Sequence, residues 1–341
     1  MYVVLALVML SALIVTHELG HFLAARACGI AVQEFSVGMG PLLAKRVGKH
    51  GTQFSLRALP VGGFCMFQGE GEGGARSDAF SRASVPKRAI TIASGPLMNF
   101  VVAFLVVVFF VSALGVQTVL PVVGELEENA RSAGLMIGDR LLEVDGVGVS
   151  SSNDVIAAVN AAQGESVVFT VLRGGERAQV TLKPFYDEEA RRYRVGFSFE
   201  MGRTRVPVGQ AVPFSASYCV SSVQAIVDAL VGIFSRGEGV EDMTGIVGTV
   251  YVIQDATRSG GIDMFLELLA MISVNLGVMN LLPIPGLDGS KLLFLLAEAV
   301  RGKPLSERIE GALTMAGFAL IFGLMIVLTY KDLTQIFLGR F

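Results

Sequence analysis

His17, Glu18 and His21 stand within THELGH, residues 16–21. On a helix, residues four apart lie on one face, so the two imidazoles can grip one metal ion while the glutamate points alongside. The chemistry this suits is metal-assisted hydrolysis. A catalytic zinc keeps one position open and lowers the pKa of its water to about 7, and Glu18 is placed to take the proton. The pentapeptide alone is a weak pattern, and a polar helix face packed on a neighbour is its plain alternative. Its setting weighs against that alternative, because the run from Met1 to Cys28 is otherwise uncharged as far as His17, and ionisable groups at membrane depth usually line a functional cavity. His17 and His21 are also two of only three histidines in the chain. A zinc held by two histidines wants a third ligand, and Asp288 in LPIPGLDG (residues 282–289) offers it. There two prolines and a glycine must break a helix and leave backbone groups unpaired, which a membrane tolerates only within protein or beside water. Read alone, the same stretch is an exit turn at the membrane surface.

These residues need apolar helices to carry them. Of 341 residues, 52% are hydrophobic, 17% are charged and 40 are glycine, which is too apolar for an ordinary soluble enzyme of this size. The net charge of −3 shows no basic excess of the kind a nucleic-acid binder needs. Three widely spaced cysteines, Cys28, Cys65 and Cys219, match no paired zinc or redox pattern. Four runs approach the roughly 20 residues needed to cross a bilayer: Met1–Cys28, Ile92–Leu114, about Phe265–Leu282, and Ala312–Tyr330. The first lacks the basic start and cleavage site of a signal peptide and is expected to be retained. Lys45, Arg46, Lys49, Arg57, Arg76, Arg82, Lys87 and Arg88 crowd the segment after it, placing that side in the cytoplasm.

THELGHFLAAR, NLLPIPGLDG and GPLMNF (residues 95–100) together closely resemble the site-2 protease family of intramembrane zinc metalloproteases, over nearly the whole chain. The resemblance implies one Zn2+ ion held by His17, His21 and Asp288, with Glu18 as the catalytic base. Asn280 matches the asparagine opening the LDG motif, suited to holding substrate backbone or an oxyanion, and Asn99 is a second such candidate. Each has the alternative of a helix-to-helix hydrogen bond. The stretch FSLRALPVGGFCMFQGE (54–70) reads as a short β-hairpin or loop around Pro60, Gly62 and Gly63. By resemblance it is a membrane-reentrant element whose Gly62–Gly63 region pairs with an extended substrate strand; a plain cytoplasmic hairpin is the alternative.

The expected fold is a polytopic α-helical membrane protein with four transmembrane helices, a membrane-associated β-hairpin and one extracytoplasmic PDZ (α+β) domain. Residues 1–29 form the first span, 30–90 a cytoplasmic-side loop with the hairpin, and 91–114 the second span. The PDZ domain covers 115–186, where SAGLMIGDRLLEVDGVGV, a helical SNDVIAAVNAA and two strands joined at Gly174–Gly175 follow one another. An amphipathic extracytoplasmic region (187–261) lies on the membrane surface, and 262–285 is the third span. A cytoplasmic-side segment (286–310), the fourth span (311–330) and an extracytoplasmic tail (331–341) complete the chain. TGIVG (244–248) departs from the family's G-P-x-G element, with Ile246 in place of proline.

The resemblance implies regulated intramembrane proteolysis in a bacterial cytoplasmic membrane, with the active site toward the cytoplasm. Its substrates are transmembrane proteins already cut by another protease, such as anti-sigma factors and remnant signal peptides; the lipid bilayer is a partner and nucleic acid is not. Two other classes use the same residues. A silent scaffold would hold partners through the PDZ domain, and a metal transporter would need more polar residues in the other spans.

Overall fold

The computed structural model describes residues 2–69, 78–188, 191–237, 239 and 243–338. Glu70, Arg76 and the tail residues 339–341 named above lie outside them. In chain order the elements are α1 (Tyr2–Cys28), β1 (Val32–Val47), β2 (Gln53–Phe67), α2 (Val85–Phe109), β3 (Val116–Leu126), α3 (Glu128–Ser132), β4 (Arg140–Val144), β5 (Val147–Gly148), α4 (Ser152–Ala161), β6 (Val167–Arg173), β7 (Glu176–Leu182), β8 (Phe185–Asp187), β9 (Arg192–Arg194), β10 (Phe197–Thr204), α5 (Val208–Arg236), α6 (Ile246–Leu281), α7 (Asp288–Arg301) and α8 (Glu307–Phe337). They form two compact units, Met1–Phe110 with Pro207–Phe341, and Val111–Val206.

In the first unit α2 packs on both α1 and α6. Small or polar side chains fill the seams, with Gly20, Gly95, Ala103 and Gly277 all buried. Gly277 allows the Phe100 ring to lie where a Cβ would stand 2.9 Å from it, the close approach that membrane helices use when no hydrophobic drive pulls them together. The outward surface is apolar instead, as at Leu320, Phe322, Ile326 and Val327 of α8. Such faces require a lipid solvent.

Among the described residues five helices, against the four expected spans, are long and apolar enough to cross a membrane. The additional one is α5, expected from its mixed composition to lie on the surface; it is one unbroken 29-residue helix. The helix α6 is longer than the span expected there, and it breaks at Gly261, whose φ of 63° and ψ of −146° leave the helical region. A glycine adopts that conformation without a Cβ penalty, so the helical half after it coincides with the expected third span.

The hairpin differs from expectation. Its turn lies at residues 48–52, where the Gly48 amide donates to the Thr52 carbonyl at 2.9 Å, and Gly62 and Gly63 lie inside β2. Strand β1 was not legible because Gly38, Gly40 and Pro41 read as loop; both glycines have positive φ and bend the strand. Residues 34–37 are bracketed, pairing with 63–66 on one side and 53–56 on the other. Arg57 ties the curled element together, donating to Glu34 at 2.8 Å, to the Ser36 hydroxyl at 3.1 Å and to the Gly40 carbonyl at 3.0 Å.

The second unit is an antiparallel sheet in the order β10-β3-β4-β6-β7 with β5 on β4. Its core includes Val123, Leu141, Val155, Phe169 and Phe197. The Asp145–Gly146 and Gly174–Gly175 turns both have positive φ at each residue, as two-residue hairpins require. Ser151 and Asp154 form a capping box at α4, and the amides of Ser150 and Ser151 with the Ser150 hydroxyl hold the Asp154 carboxyl down at about 2. The domain extends past the expected boundary at 186, because β10 pairs with β3. That pairing joins strands far apart in sequence, which local pattern does not reveal.

Candidate metal centre

The site is built from α1, α2, α6, α7 and β2. The i, i+4 spacing on α1 brings the His17 and His21 rings together with their Nε2 atoms 3.2 Å apart. The break after α6 turns the chain so that Asp288 begins α7, and its Oδ2 lies 3.1 Å from His17 Nε2 and 3.3 Å from His21 Nε2. Three ligand atoms at the corners of a tetrahedron around a zinc bonded at about 2.0 Å would be about 3.3 Å apart. The set therefore fits that ion.

Hydrogen bonding points the same way. The carbonyl of Thr91 accepts from His21 Nδ1 at 2.9 Å, which puts the ring proton on Nδ1 and leaves Nε2 with a bare lone pair. Asp288 Oδ2 is buried and receives no hydrogen bond of acceptable geometry. Lone pairs gathered this closely in a buried place call for a cation. His17 Nδ1 faces the Asn99 amide at 3.3 Å, while Asn99 Oδ1 has no partner. Turning that amide over lets Oδ1 accept from His17 Nδ1–H, the arrangement that frees His17 Nε2 as well.

Helix α2 supplies both of these outer contacts, and a third. Gly95 lies where a Cβ would overlap the His21 ring, so only glycine lets the imidazole sit against the helix. The Ser273 hydroxyl of α6 donates to the Asn99 carbonyl at 2.7 Å and is fully buried. Sequence reasoning missed Thr91 and Ser273. A backbone carbonyl has no side-chain signature, and a serine in an apolar helix has many uses; Gly95 was visible only as part of GPLMNF.

Among the other expected site residues, Glu18 is partly buried beside the triangle and accepts from the backbone N–H of Cys65 in β2. Asn99 is fully buried against His17, a place for orienting a ligand and not for meeting substrate. Asn280 sits on the last turns of α6, partly buried, donating to the Leu276 carbonyl at 3.0 Å. Gly63 brings β2 against α1 and β1, where a Cβ would be 3.6 Å from Val15 and 2.7 Å from the Ser36 carbonyl. Gly62 has a φ of 85° and borders Met39.

Two imidazoles and one carboxylate, with a second carboxylate beside them and apolar helices around, define a membrane-embedded metal-dependent hydrolase. The chain belongs to Peptidase family M50, whose sequence model matches residues 5–324. It is 33% identical to a protein of Agrobacterium fabrum over 98% of this chain and 96% of that one, and 32% identical to a protein of Clostridium acetobutylicum over 97% and 96%. Both carry the name "Putative zinc metalloprotease". Among solved structures, the PDZ domain of an SdrC-like protein from Listeria monocytogenes aligns with 24% of this chain and 85% of its own, at 20% identity and a TM-score of 0.21. The chain is a multi-pass membrane protein and a zinc metalloprotease.

Proposed function

We propose that the protein is an intramembrane endopeptidase that cuts peptide bonds within or beside transmembrane helices of substrates already trimmed by another protease. Anti-sigma factors and remnant signal peptides are the substrate classes the family resemblance suggests. The observation that carries the reading is the buried triangle of His17, His21 and Asp288 with Glu18 at its side.

One zinc ion, which those three residues would hold, would supply Lewis-acid polarisation and a water acidic enough to ionise near neutrality. Glu18 takes the proton as water attacks the substrate carbonyl and passes it to the departing amide nitrogen. The Cys65 amide holds the Glu18 carboxylate in place. Asn99 and the Thr91 carbonyl orient His17 and His21. Asn280 keeps one amide hydrogen and its carbonyl oxygen for substrate backbone or a developing oxyanion. A helical substrate must unwind to expose a peptide bond, and the Gly62–Gly63 region of β2 receives the released backbone by strand addition.

The chain crosses a bacterial cytoplasmic membrane four times with the metal site toward the cytoplasm. Supporting this count, Ser217, Ser221, Gln224 and Asp228 make an exposed polar stripe at helical spacing along α5, which suits a helix lying in the outer interface. The Val111–Val206 unit is a PDZ domain outside the membrane that limits which substrates enter by size. The test is cleavage of a single-span substrate by purified protein in detergent, comparing wild type with Glu18→Gln at matched zinc content. Glu18→Gln should lose roughly 10²–10⁴-fold in kcat while keeping its metal; equal cleavage by the variant would refute the assignment.

A further inference from the structure

Asp288 reaches the histidines from the first residue of α7, and something must hold that helix in register. Ten residues further along α7, Glu298 meets Arg88 of α2 in a two-pronged ion pair, with Arg88 Nη1 donating at 3.0 Å to one carboxylate oxygen and Nη2 to the other. The side chains are only 11% and 16% exposed. Arg88 Nε is also engaged, donating to the Ala83 carbonyl at 3.0 Å. An ion pair withdrawn this far from water repays its desolvation poorly and is weak evidence for stability. A planar fork on a carboxylate does fix geometry, however, because both bonds fail when either helix slides or turns.

The place of Arg88 gives that geometry a purpose. Arg88, Thr91, Gly95 and Asn99 follow one another at three- and four-residue steps along one face of α2. Thr91 and Gly95 position His21, and Asn99 faces His17. We infer that Arg88 extends this stripe to the third ligand, and that the Arg88–Glu298 pair is a positioning device that sets α7 so Asp288 completes the metal triangle. The inference rests on the metal-site reading above.

The distances involved make the tether matter. Glu298 lies about 15 Å along the helix axis from Asp288 at 1.5 Å per residue. A tilt of α7 by about 5° about that point carries Asp288 roughly 1.3 Å, whereas metal–ligand bonds tolerate about 0.2 Å. Leu292 and Leu295 of α7 and Ile92 of α2 also share one apolar cluster. Such packing resists separation more than sliding.

The test uses full-length protein in detergent, stripped of metal and titrated with Co2+ alone, whose absorption reports coordination geometry, and with Zn2+ against a chelator. Arg88→Ala and Glu298→Ala should each weaken both metals about 10-fold or more and alter the cobalt spectrum, as lost outer-shell partners do. The exchanged variant Arg88→Glu with Glu298→Arg should recover much of the affinity, with Arg88→Lys intermediate because it keeps charge without the fork. Wild-type metal affinity and cobalt spectrum in both alanine variants would overturn the inference while leaving the metal site standing. So would an exchanged variant that regains the wild-type melting temperature and not the metal. Failure of wild type itself to take up Co2+ would overturn the metal-site reading and this inference with it.

Discussion

Replacing Gly95 by alanine separates helix propensity from metal binding, because the two move in opposite directions. A methyl at Gly95 would stand 2.5 Å from His21 Cε1 and 2.8 Å from Cδ2, where ordinary contact begins at 3.4 Å. The ligating Nε2 lies closer still, so the ring must retreat by about 1 Å or more, several times what a metal–nitrogen bond tolerates. Alanine inside a helix is favoured over glycine by about 1 kcal/mol, so the metal-free variant should melt close to wild type. Zinc should bind about 10–100-fold more weakly, roughly 1.4–2.7 kcal/mol, and the rise in melting temperature on adding zinc should shrink accordingly. Chelator competition and thermal melts with and without zinc measure both quantities. Gly323→Ala on α8, where a Cβ meets nothing within 4 Å, is the control and should leave zinc affinity unchanged. Wild-type zinc affinity in Gly95→Ala would refute the placement of His21 against this helix.

Asn99→Ala should weaken zinc about 10-fold or more, while Asn280→Ala should leave zinc affinity intact and lower kcat by roughly 10²; the reverse pattern would exchange their roles. In the second unit, burial raises the Asp139 carboxyl, but Arg173 and the Met136 amide outweigh it and hold it below the ordinary 3.8. Its stabilisation is therefore complete above that value and drains away as the pH falls below it toward the lowered folded value. Arg173→Ala should cost this domain about 1–3 kcal/mol at neutral pH and flatten the acid limb of its unfolding curve; an unchanged acid profile, followed by near-ultraviolet circular dichroism, would count against the pair.

What could be read from the sequence was local. Helical spacing puts His17 and His21 on one face whatever surrounds them, and the residues of LPIPGLDG prevent α6 from continuing into α7. The Asp145–Gly146 and Gly174–Gly175 hairpins were equally legible, because their turn chemistry lies within four residues. The course of β1 was not: its glycines and proline locally favour a loop, and only pairing with both halves of β2 makes it a strand. The same holds for β10, whose partners on β3 lie about 70 to 90 residues earlier.

Sequence alone thus determined the donor atoms available to a metal, the carboxylate beside them and the apolar helices that carry them, since these depend on residue type and short-range periodicity. Tertiary structure decided which groups serve the donors. Thr91 acts through its carbonyl, Gly95 through a missing side chain, and Asn99 through its aim at His17. None of these roles exists until α2 packs against α1 at the distance and rotation their mutual surface permits.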